Sequence, residues 1–280
     1  ADRIGLRYPV EVGLVGDARP TVAALSRLVE RKEDRSFLEQ AQAGMREWWE
    51  LMRTRAMKDD VPIKPQRVAW ELSELAADDA IISTDSGTIT TWIARHFKIR
   101  GRQKFSCSGT LATMACALPY AVAAKLAYPD RQSVAFVGDG GFTMLMGEFL
   151  TAVKYKLPVV VVIIKNNTLG QIKWEQIVFL GNPEYGVDLH NPDFAKFAEA
   201  CGGVGITVER PEEIRPALER ALASDRPAVV EVVVDPYEPP MPPKVTPEQA
   251  LHFAEALAKG QPAGGKIALT LFRDKLSELF

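Results

Sequence analysis

Hydrophobic positions along the chain fall into short apolar runs, each ended by a polar or glycine-rich cluster. Asp79 to Thr84 ends in DSGTITTWIARHF, Ser133 to Val137 in GDGG, Val159 to Ile164 in KNN, and Ala228 to Val234 in Asp235. Near-continuous Val and Ile runs of this length are how parallel strands covered on both faces read, because neither face meets water. Between the runs lie helical patterns. PDFAKFAEACG and PEEIRPALERALAS are amphipathic and start near prolines, which the first turn of a helix tolerates. GTLATMACALPYAVAAKLAYP is rich in small residues and reads as helical through about Ala127, a composition suited to close backbone packing near a ligand. Strand and helix in alternation predict an α/β fold: a doubly wound parallel sheet with helices on both faces.

The flanks read differently. Residues 10–15 are apolar enough to predict a buried strand ending at Gly16-Asp17, followed by a helix from about Thr21 to Arg31. A lone strand and helix cannot close a sheet, so residues 1–31 are expected to be the C-terminal remnant of a domain whose earlier part is missing. Residues 32–62 are charged and helical, include MREWWELMRTRAMKDD, and are punctuated at their end by Pro62 and, just beyond, Pro65; they read as a linker. The α/β pattern occupies residues 63–237. A helical tail, 238–280, follows; it opens within the stiff segment PYEPPMPPKVTP and carries helices expected at about 247–259 and 266–279.

Composition narrows the chemistry. Hydrophobic residues make up 47% of the chain and charged residues 25%, so a sizeable core is expected. With 34 basic against 36 acidic residues there is no electrostatic footprint for nucleic acid, and small-molecule partners are favoured. Cys107, Cys116 and Cys201 are odd in number and form no CxxC pair, which suits apolar fillers in a reducing, cytoplasmic compartment. His96, His190 and His252 lie too far apart for a local ligand motif. No apolar run approaches the ~18 residues that a spanning helix needs, and the first twenty residues mix charge with turn residues.

Ligands of open α/β sheets bind outside the carboxyl ends of the strands. Three clusters are predicted there: Asp85-Ser86-Gly87, Gly138-Asp139-Gly140-Gly141 and Asn166-Asn167. Asp139 and Asn166 are 27 residues apart, close to the roughly 30 of a βαβ unit. Neighbouring strands lie about 4.8 Å apart, so one carboxylate and one amide oxygen can face the same point. That donor set, with a backbone carbonyl, is too weakly charged to hold a divalent cation alone but suits Mg²⁺ that also takes oxygens from a bound diphosphate. Gly140 and Gly141 let backbone N–H groups approach those oxygens, and the helix they open directs its positive end at them. Each cluster alone also reads as a turn; the crossover spacing is what joins them. A P-loop is excluded because no GK[ST] follows the glycines, and GxGxxG is not completed.

GDG, twenty-five residues, then NN resembles the signature of thiamine-diphosphate-dependent enzymes. The stretch GDGGFTMLMGEFLTAVKYKLPVVVVIIKNNTLG is similar to the pyruvate oxidase and quinone-linked pyruvate dehydrogenase branch. The resemblance covers nearly the whole chain, residues 1–31 matching the end of that family's middle, FAD-type domain and about 63–237 its diphosphate-binding domain. It implies thiamine diphosphate and Mg²⁺ as cofactors, with FAD in a full-length parent. It makes Asp139 and Asn166 side-chain metal ligands and Thr168 the backbone ligand, with Asn167 the alternative if the count slips by one. Gly87, Thr88, Gly138, Gly140, Gly141, Leu169 and Gly170 would complete the cofactor cradle. Ala112, Thr113 and Met114 would contact the aminopyrimidine, Met114 as the apolar wedge that bends the cofactor; an ordinary core methionine is the alternative. Gln171, Ile172 and Glu175 fall where the family lines its substrate pocket, although Glu175 reads equally as a solvated helix residue.

The activity implied by the resemblance is decarboxylation of pyruvate or a related 2-oxo acid, oxidative when FAD takes the electrons. An acetolactate-synthase-like carboligase and a non-catalytic cofactor-binding or assembly module are the alternatives. The family's glutamate that protonates the pyrimidine comes from an N-terminal domain, normally of a partner subunit, and no segment here corresponds to it. No catalytic residue is therefore assigned within this chain, which is expected to be inactive alone and to need that domain in a homodimer or homotetramer. In the tail, Ile267, Leu271, Leu276 and Leu279 follow helical spacing, with Lys266, Arg273, Asp274 and Glu278 on other faces. Such a helix packs on its own or a partner subunit, or makes a peripheral contact at the inner membrane face as in the quinone-linked members.

Overall fold

The computed structural model describes residues 3–240 and 246–276, which divide by packing into two units, 1–48 and 49–280. In the first unit, α1 (Ala18–Leu28) is capped by Asp17, whose carboxylate accepts the Arg19 N–H at 2.8 Å. Helix α2 (Ser36–Ala56) begins there and continues into the second unit. Residues 10–15 are exposed and form no strand. Apolar side chains are not sufficient for one, because a strand's N–H and C=O groups need a neighbouring strand, and all strands among the described residues lie in the second unit.

That unit continues as α3 (Pro65–Leu75), β1 (Ile81–Thr84), α4 (Thr88–His96), β2 (Lys104–Cys107), α5 (Ala117–Ala127), β3 (Ser133–Gly138), α6 (Asp139–Leu145), α7 (Glu148–Lys154) and β4 (Val159–Lys165). It ends with α8 (Gly170–Val178), α9 (Phe194–Ala200), β5 (Val204–Val208), α10 (Pro211–Leu222), β6 (Ala228–Val233), α11 (Pro247–Ala258) and α12 (Gly264–Leu276). The strands form one parallel sheet in the order β2-β1-β3-β4-β6-β5. The four apolar runs are its four inner strands. Strands β2 and β5, which the hydrophobic pattern does not reveal, are its edges. An edge strand has one neighbour and less cover: the first three residues of β2 are exposed, and only Val208 of β5 is fully buried.

Alternate residues of the inner strands feed two cores. Ile82, Val134, Phe136, Val162 and Val230 pack beneath α3, α4 and α10. Ala135, Val137, Val161, Ile163 and Val229 pack beneath α5, α7 and α9 with Phe142, Phe149 and Phe194. The continuous Val-Ile composition thus serves both faces at once.

Topology fixes where a ligand can sit. From β1 the chain crosses outward to β2, then returns past β1 to β3, so connections leave β1 and β3 toward opposite edges of the sheet. This switch point opens a crevice at the carboxyl ends of β1 and β3. Beside it, Trp174, Ile177 and Val178 of α8 pack with Ala256 of α11 and the fully buried Ile267 of α12, and Leu271 joins them. Ile267 and Leu271 of the apolar tail face therefore pack within the chain. Leu276, Leu279, Arg273, Asp274 and Glu278 lie outside the described side chains. Among the described residues no helix is long and apolar enough to cross a membrane.

Candidate metal and diphosphate site

Asp139 begins α6 immediately after β3, and the residue is 2% exposed. Oδ2 accepts the backbone N–H of Asn166 at 3.0 Å, the N–H of Asn167 at 2.6 Å and the Nδ2 amide of Asn191 at 2.9 Å. Oδ1 accepts the N–H of Gly140 at 2.8 Å. Burial pushes the carboxyl above its ordinary range, and these donors pull against it. All of these donors are neutral. The second asparagine of the KNN turn has φ +55°, a left-handed conformation that Asn tolerates better than most residues. This turn lets two successive N–H groups meet one carboxylate oxygen. Asn166 Oδ1 accepts the Thr168 N–H at 3.0 Å, and the Thr168 carbonyl accepts the Gly170 N–H at 2.9 Å. Each of these two oxygens keeps one lone pair.

A cleft enclosing about 540 Å³, including its open mouth, runs along the strand ends. Its walls are Asp85, Ser86, Gly87 and Thr88 after β1, Gly138 to Gly141 after β3, and Asn166 with Thr168 to Ile172 after β4; Ile89, Trp92, Met114 and Ile164 supply the apolar remainder. Among the described residues no Lys or Arg lines it. The N-termini of α4, α6 and α8 open into it instead, offering backbone N–H groups and the positive ends of helix dipoles to an anion. Gly87 holds φ +114°, which side-chain-bearing residues rarely adopt. A Cβ on Gly87 or on Gly138 would protrude into open space, one on Gly140 would meet Leu169 and Leu189 at 3.0 Å, and one on Gly141 would come within 2.1 Å of Asp85 Oδ2. Glycines thus make a floor without side chains.

Asp85 anchors the opposite wall. Its Oδ1 accepts the Ala117 N–H at the start of α5 at 2.8 Å, while Oδ2 is buried without a hydrogen-bond partner among the described residues, and burial pushes this carboxyl up as well. The loop before α5 carries left-handed residues at Ala112 (φ +49°) and Ala115 (φ +66°) on either side of Met114. Met114 reaches the cleft; Ala112 and Thr113 do not line it, and Thr113 uses its carbonyl to accept the Ser86 N–H at 3.3 Å.

The structure brings Gly87, Thr88, Met114, Gly138, Asp139, Gly140, Gly141, Asn166, Thr168, Leu169, Gly170, Gln171 and Ile172 to one cleft. Asn167 does not line it: its side chain is turned to Asn191, whose Nδ2 donates to Oδ1 at 3.0 Å. Glu175 is exposed and accepts from Gln171 Nε2 at 2.9 Å, one helical turn beyond the cleft. Trp92 and Asn191 are residues that sequence reasoning misses. Trp92 belongs to a helix read only as a strand-end tail. Asn191 stands before Pro192 in what looks like a helix start, and no local signal points back to Asp139.

The residues fit a hard cation with its diphosphate. Asp139, Asn166 and Thr168 line one cleft, and among the described residues the buried Thr168 Oγ1 lacks a partner and no group of three or more His, Cys, Asp or Glu could hold a metal by itself. A switch-point crevice that presents helix N-terminal N–H groups to an anion marks a diphosphate-cofactor-binding α/β protein. Residues 85–232, just over half the chain, match the model for the thiamine pyrophosphate enzyme family, C-terminal TPP-binding domain, and the chain belongs to this family. It is 46% identical to the thiamine pyrophosphate-containing protein YdaP of Bacillus subtilis, over 99% of this chain and 48% of that protein. Pyruvate oxidase of Lactiplantibacillus plantarum is 31% identical over 83% of this chain and 39% of the oxidase, and acetolactate synthase large subunits match as well. Among solved structures, the thiamine diphosphate-dependent 4-hydroxybenzoylformate decarboxylase of Rhodococcus jostii RHA1 superposes with a TM-score of 0.60 at 28% identity, covering 64% of this chain and 34% of the other. The chain spans about half the length of YdaP and less of the others.

Proposed function

We propose that the chain is the diphosphate-binding half of an enzyme that decarboxylates pyruvate or a related 2-oxo acid with thiamine diphosphate and Mg²⁺. Asp139, Asn166 Oδ1 and the Thr168 carbonyl would hold the metal. N–H groups at the starts of α4, α6 and α8 would hold the diphosphate. When bound, the thiazolium ring supplies the electron sink for loss of CO₂. The residues of this chain bind and orient: Met114 braces the cofactor from one wall, Ile89 and Trp92 exclude water, and Gln171 and Ile172 stand at the mouth where the 2-oxo acid would enter. The single observation that carries the reading is the buried Asp139 carboxylate, surrounded only by neutral donors, one strand away from Asn166.

The remaining parts would come from elsewhere in a longer subunit: the proton-donating glutamate from an N-terminal domain of a partner subunit, and FAD from a middle domain if the reaction is oxidative. Residues 1–31 would be the end of that middle domain, 32–62 a linker, 63–237 the cofactor domain and 238–280 a tail, in a homodimer or homotetramer. The full-length protein carrying this chain, given pyruvate, thiamine diphosphate and Mg²⁺, is expected to release CO₂, and to form acetate when FAD and an electron acceptor are supplied to take up the two electrons. Acetolactate as product would establish the second reading, a carboligase, which the acetolactate synthase relatives favour. Failure to bind cofactor and metal would leave a module that uses the fold without chemistry.

A further inference from the structure

We propose that Asn191, on the loop before α9, is the positioning residue of the cation site, and that it dictates which oxygen of Asp139 faces the metal. The inference rests on the metal-diphosphate reading above. Asn191 Nδ2 uses both of its hydrogens: one goes to Asp139 Oδ2 at 2.9 Å, the other to Asn167 Oδ1 at 3.0 Å. It thereby ties the end of β3 to the turn after β4 through a third segment, 52 residues beyond Asp139.

The hydrogen-bond count decides the orientation. A carboxylate offers about four lone-pair directions, two on each oxygen. Oδ2 already accepts from Asn166, Asn167 and Asn191, while among the described residues Oδ1 accepts only from Gly140. Oδ2 is filled, so Oδ1 is the oxygen with a free direction for a cation. The two backbone donors alone would leave the carboxylate hinged about one edge, and the Asn191 amide pins that edge from the side. The same amide holds the Asn167 side chain away from the cleft and leaves Asn166 as the asparagine that lines it. Mg²⁺ demands a near-ideal octahedron and tolerates ligand misplacement poorly, whereas Ca²⁺ accepts irregular arrangements. A pinned Oδ1 therefore favours Mg²⁺ over Ca²⁺.

The test uses the full-length protein carrying this chain, with Mn²⁺ followed by electron paramagnetic resonance in the presence of thiamine diphosphate, and Mg²⁺ and Ca²⁺ measured by competition. Removal of an outer-shell partner typically weakens metal binding by roughly 10- to 100-fold, and Asn191→Ala is expected to fall in that range and to lower the Mg²⁺-to-Ca²⁺ preference. Asn191→Asp keeps the shape but replaces the donor with an acceptor; it is expected to weaken Mn²⁺ binding despite its added negative charge. Should Asn191→Ala fail to fold, as judged by circular dichroism, Asn191→Asp decides alone. Mn²⁺ binding within twofold of the unsubstituted protein in the variant that decides overturns the proposal. Asp139→Ala, run in parallel, separates the two levels: if it binds Mn²⁺ normally the metal-site reading itself fails, and if it loses Mn²⁺ while Asn191→Ala does not, only the role of Asn191 fails.

Discussion

The backbone N–H of Asn166 donates to Oδ2 of Asp139 at 3.0 Å, so the ends of β3 and β4 are joined through a side chain as well as through the sheet ladder. Asp139→Ala removes the carboxylate proposed to hold the cation and leaves the N–H groups of Asn166 and Asn167 without their acceptor. Affinity for Mg²⁺ in the presence of thiamine diphosphate is expected to drop by on the order of 100-fold or more, beyond the range seen for outer-shell changes. Isothermal titration of the full-length protein would read this, and an unchanged dissociation constant would remove Asp139 from the metal site.

Two glycines on the cleft floor should respond oppositely to alanine. At Gly141 a Cβ meets Asp85 Oδ2 at 2.1 Å, inside a buried contact, whereas at Gly138 it meets nothing within 4 Å and φ is an ordinary −81°. Overpacking costs about 1–3 kcal/mol, so Gly141→Ala should lower the thermal midpoint measurably, and Asp85→Ser in the same chain should restore part of the loss. Gly138→Ala should melt normally but bind thiamine diphosphate more weakly, since its methyl group occupies the floor. Equal melting of the two single variants would contradict the cleft geometry.

Met114 stands between left-handed alanines and presents an apolar side chain to the cleft. Burying a side chain of this size against a ligand is worth about 1.5–3 kcal/mol. Met114→Ala is therefore expected to weaken thiamine diphosphate binding roughly 10- to 100-fold, while Met114→Leu stays within a few-fold of the parent because volume is kept. Fluorescence quenching titrations distinguish this from a core role, in which both variants would bind the cofactor normally and only stability would change.

His96 ends α4 with its ring buried. Its Nδ1 contacts the Trp92 carbonyl at 3.0 Å; an oxygen can only accept, so Nδ1 carries the hydrogen and Nε2 is a buried acceptor without a partner among the described residues. Burial, with Arg95 and Arg55 nearby, lowers its pKa from 6.5 to about 4. The unfolded chain therefore takes up a proton below pH 6.5 while the folded chain resists until about pH 4. The contribution is intact above pH 6.5 and is lost as pH falls to about 4, by at most about 3 kcal/mol. His96→Gln should flatten that part of the stability profile in denaturant unfolding. An equal slope in both proteins would exclude His96 as its source.

Ile267 of α12 is fully buried against Trp174 and Ile177 of α8, the helix whose first turn lines the cleft. Ile267→Ala should destabilise by about 2–5 kcal/mol. Hydrogen exchange is expected to rise first in α8 and α12 and to leave β3 and β4 protected. Uniform exchange across the sheet would argue against this local coupling.

How much of this was legible beforehand depends on the kind of signal. Val159 to Ile164 announces an inner strand because every side chain in it must be apolar, and Asp139 and Asn166 announce a site because they end such strands at crossover spacing. The edge strand Lys104–Cys107 carries no comparable pattern, since half of its surroundings are solvent. Residues 10–15 show the converse: an apolar run satisfies its side chains but not its backbone, and without a neighbouring strand none forms.

By itself, then, the sequence determined the alternation of strands and helices, the inner-strand core and the residues at the strand ends, because burial and turn formation act over a few neighbouring positions. Only the tertiary structure decided the strand order that opens the crevice between β1 and β3. It also decided the choice of Asn166 over Asn167 at the cleft, the approach of Asp85 to Gly141, and the arrival of Asn191 at Asp139. Those relationships depend on where distant segments meet, and a hydrogen bond between residues 52 apart leaves no trace in the local pattern of either.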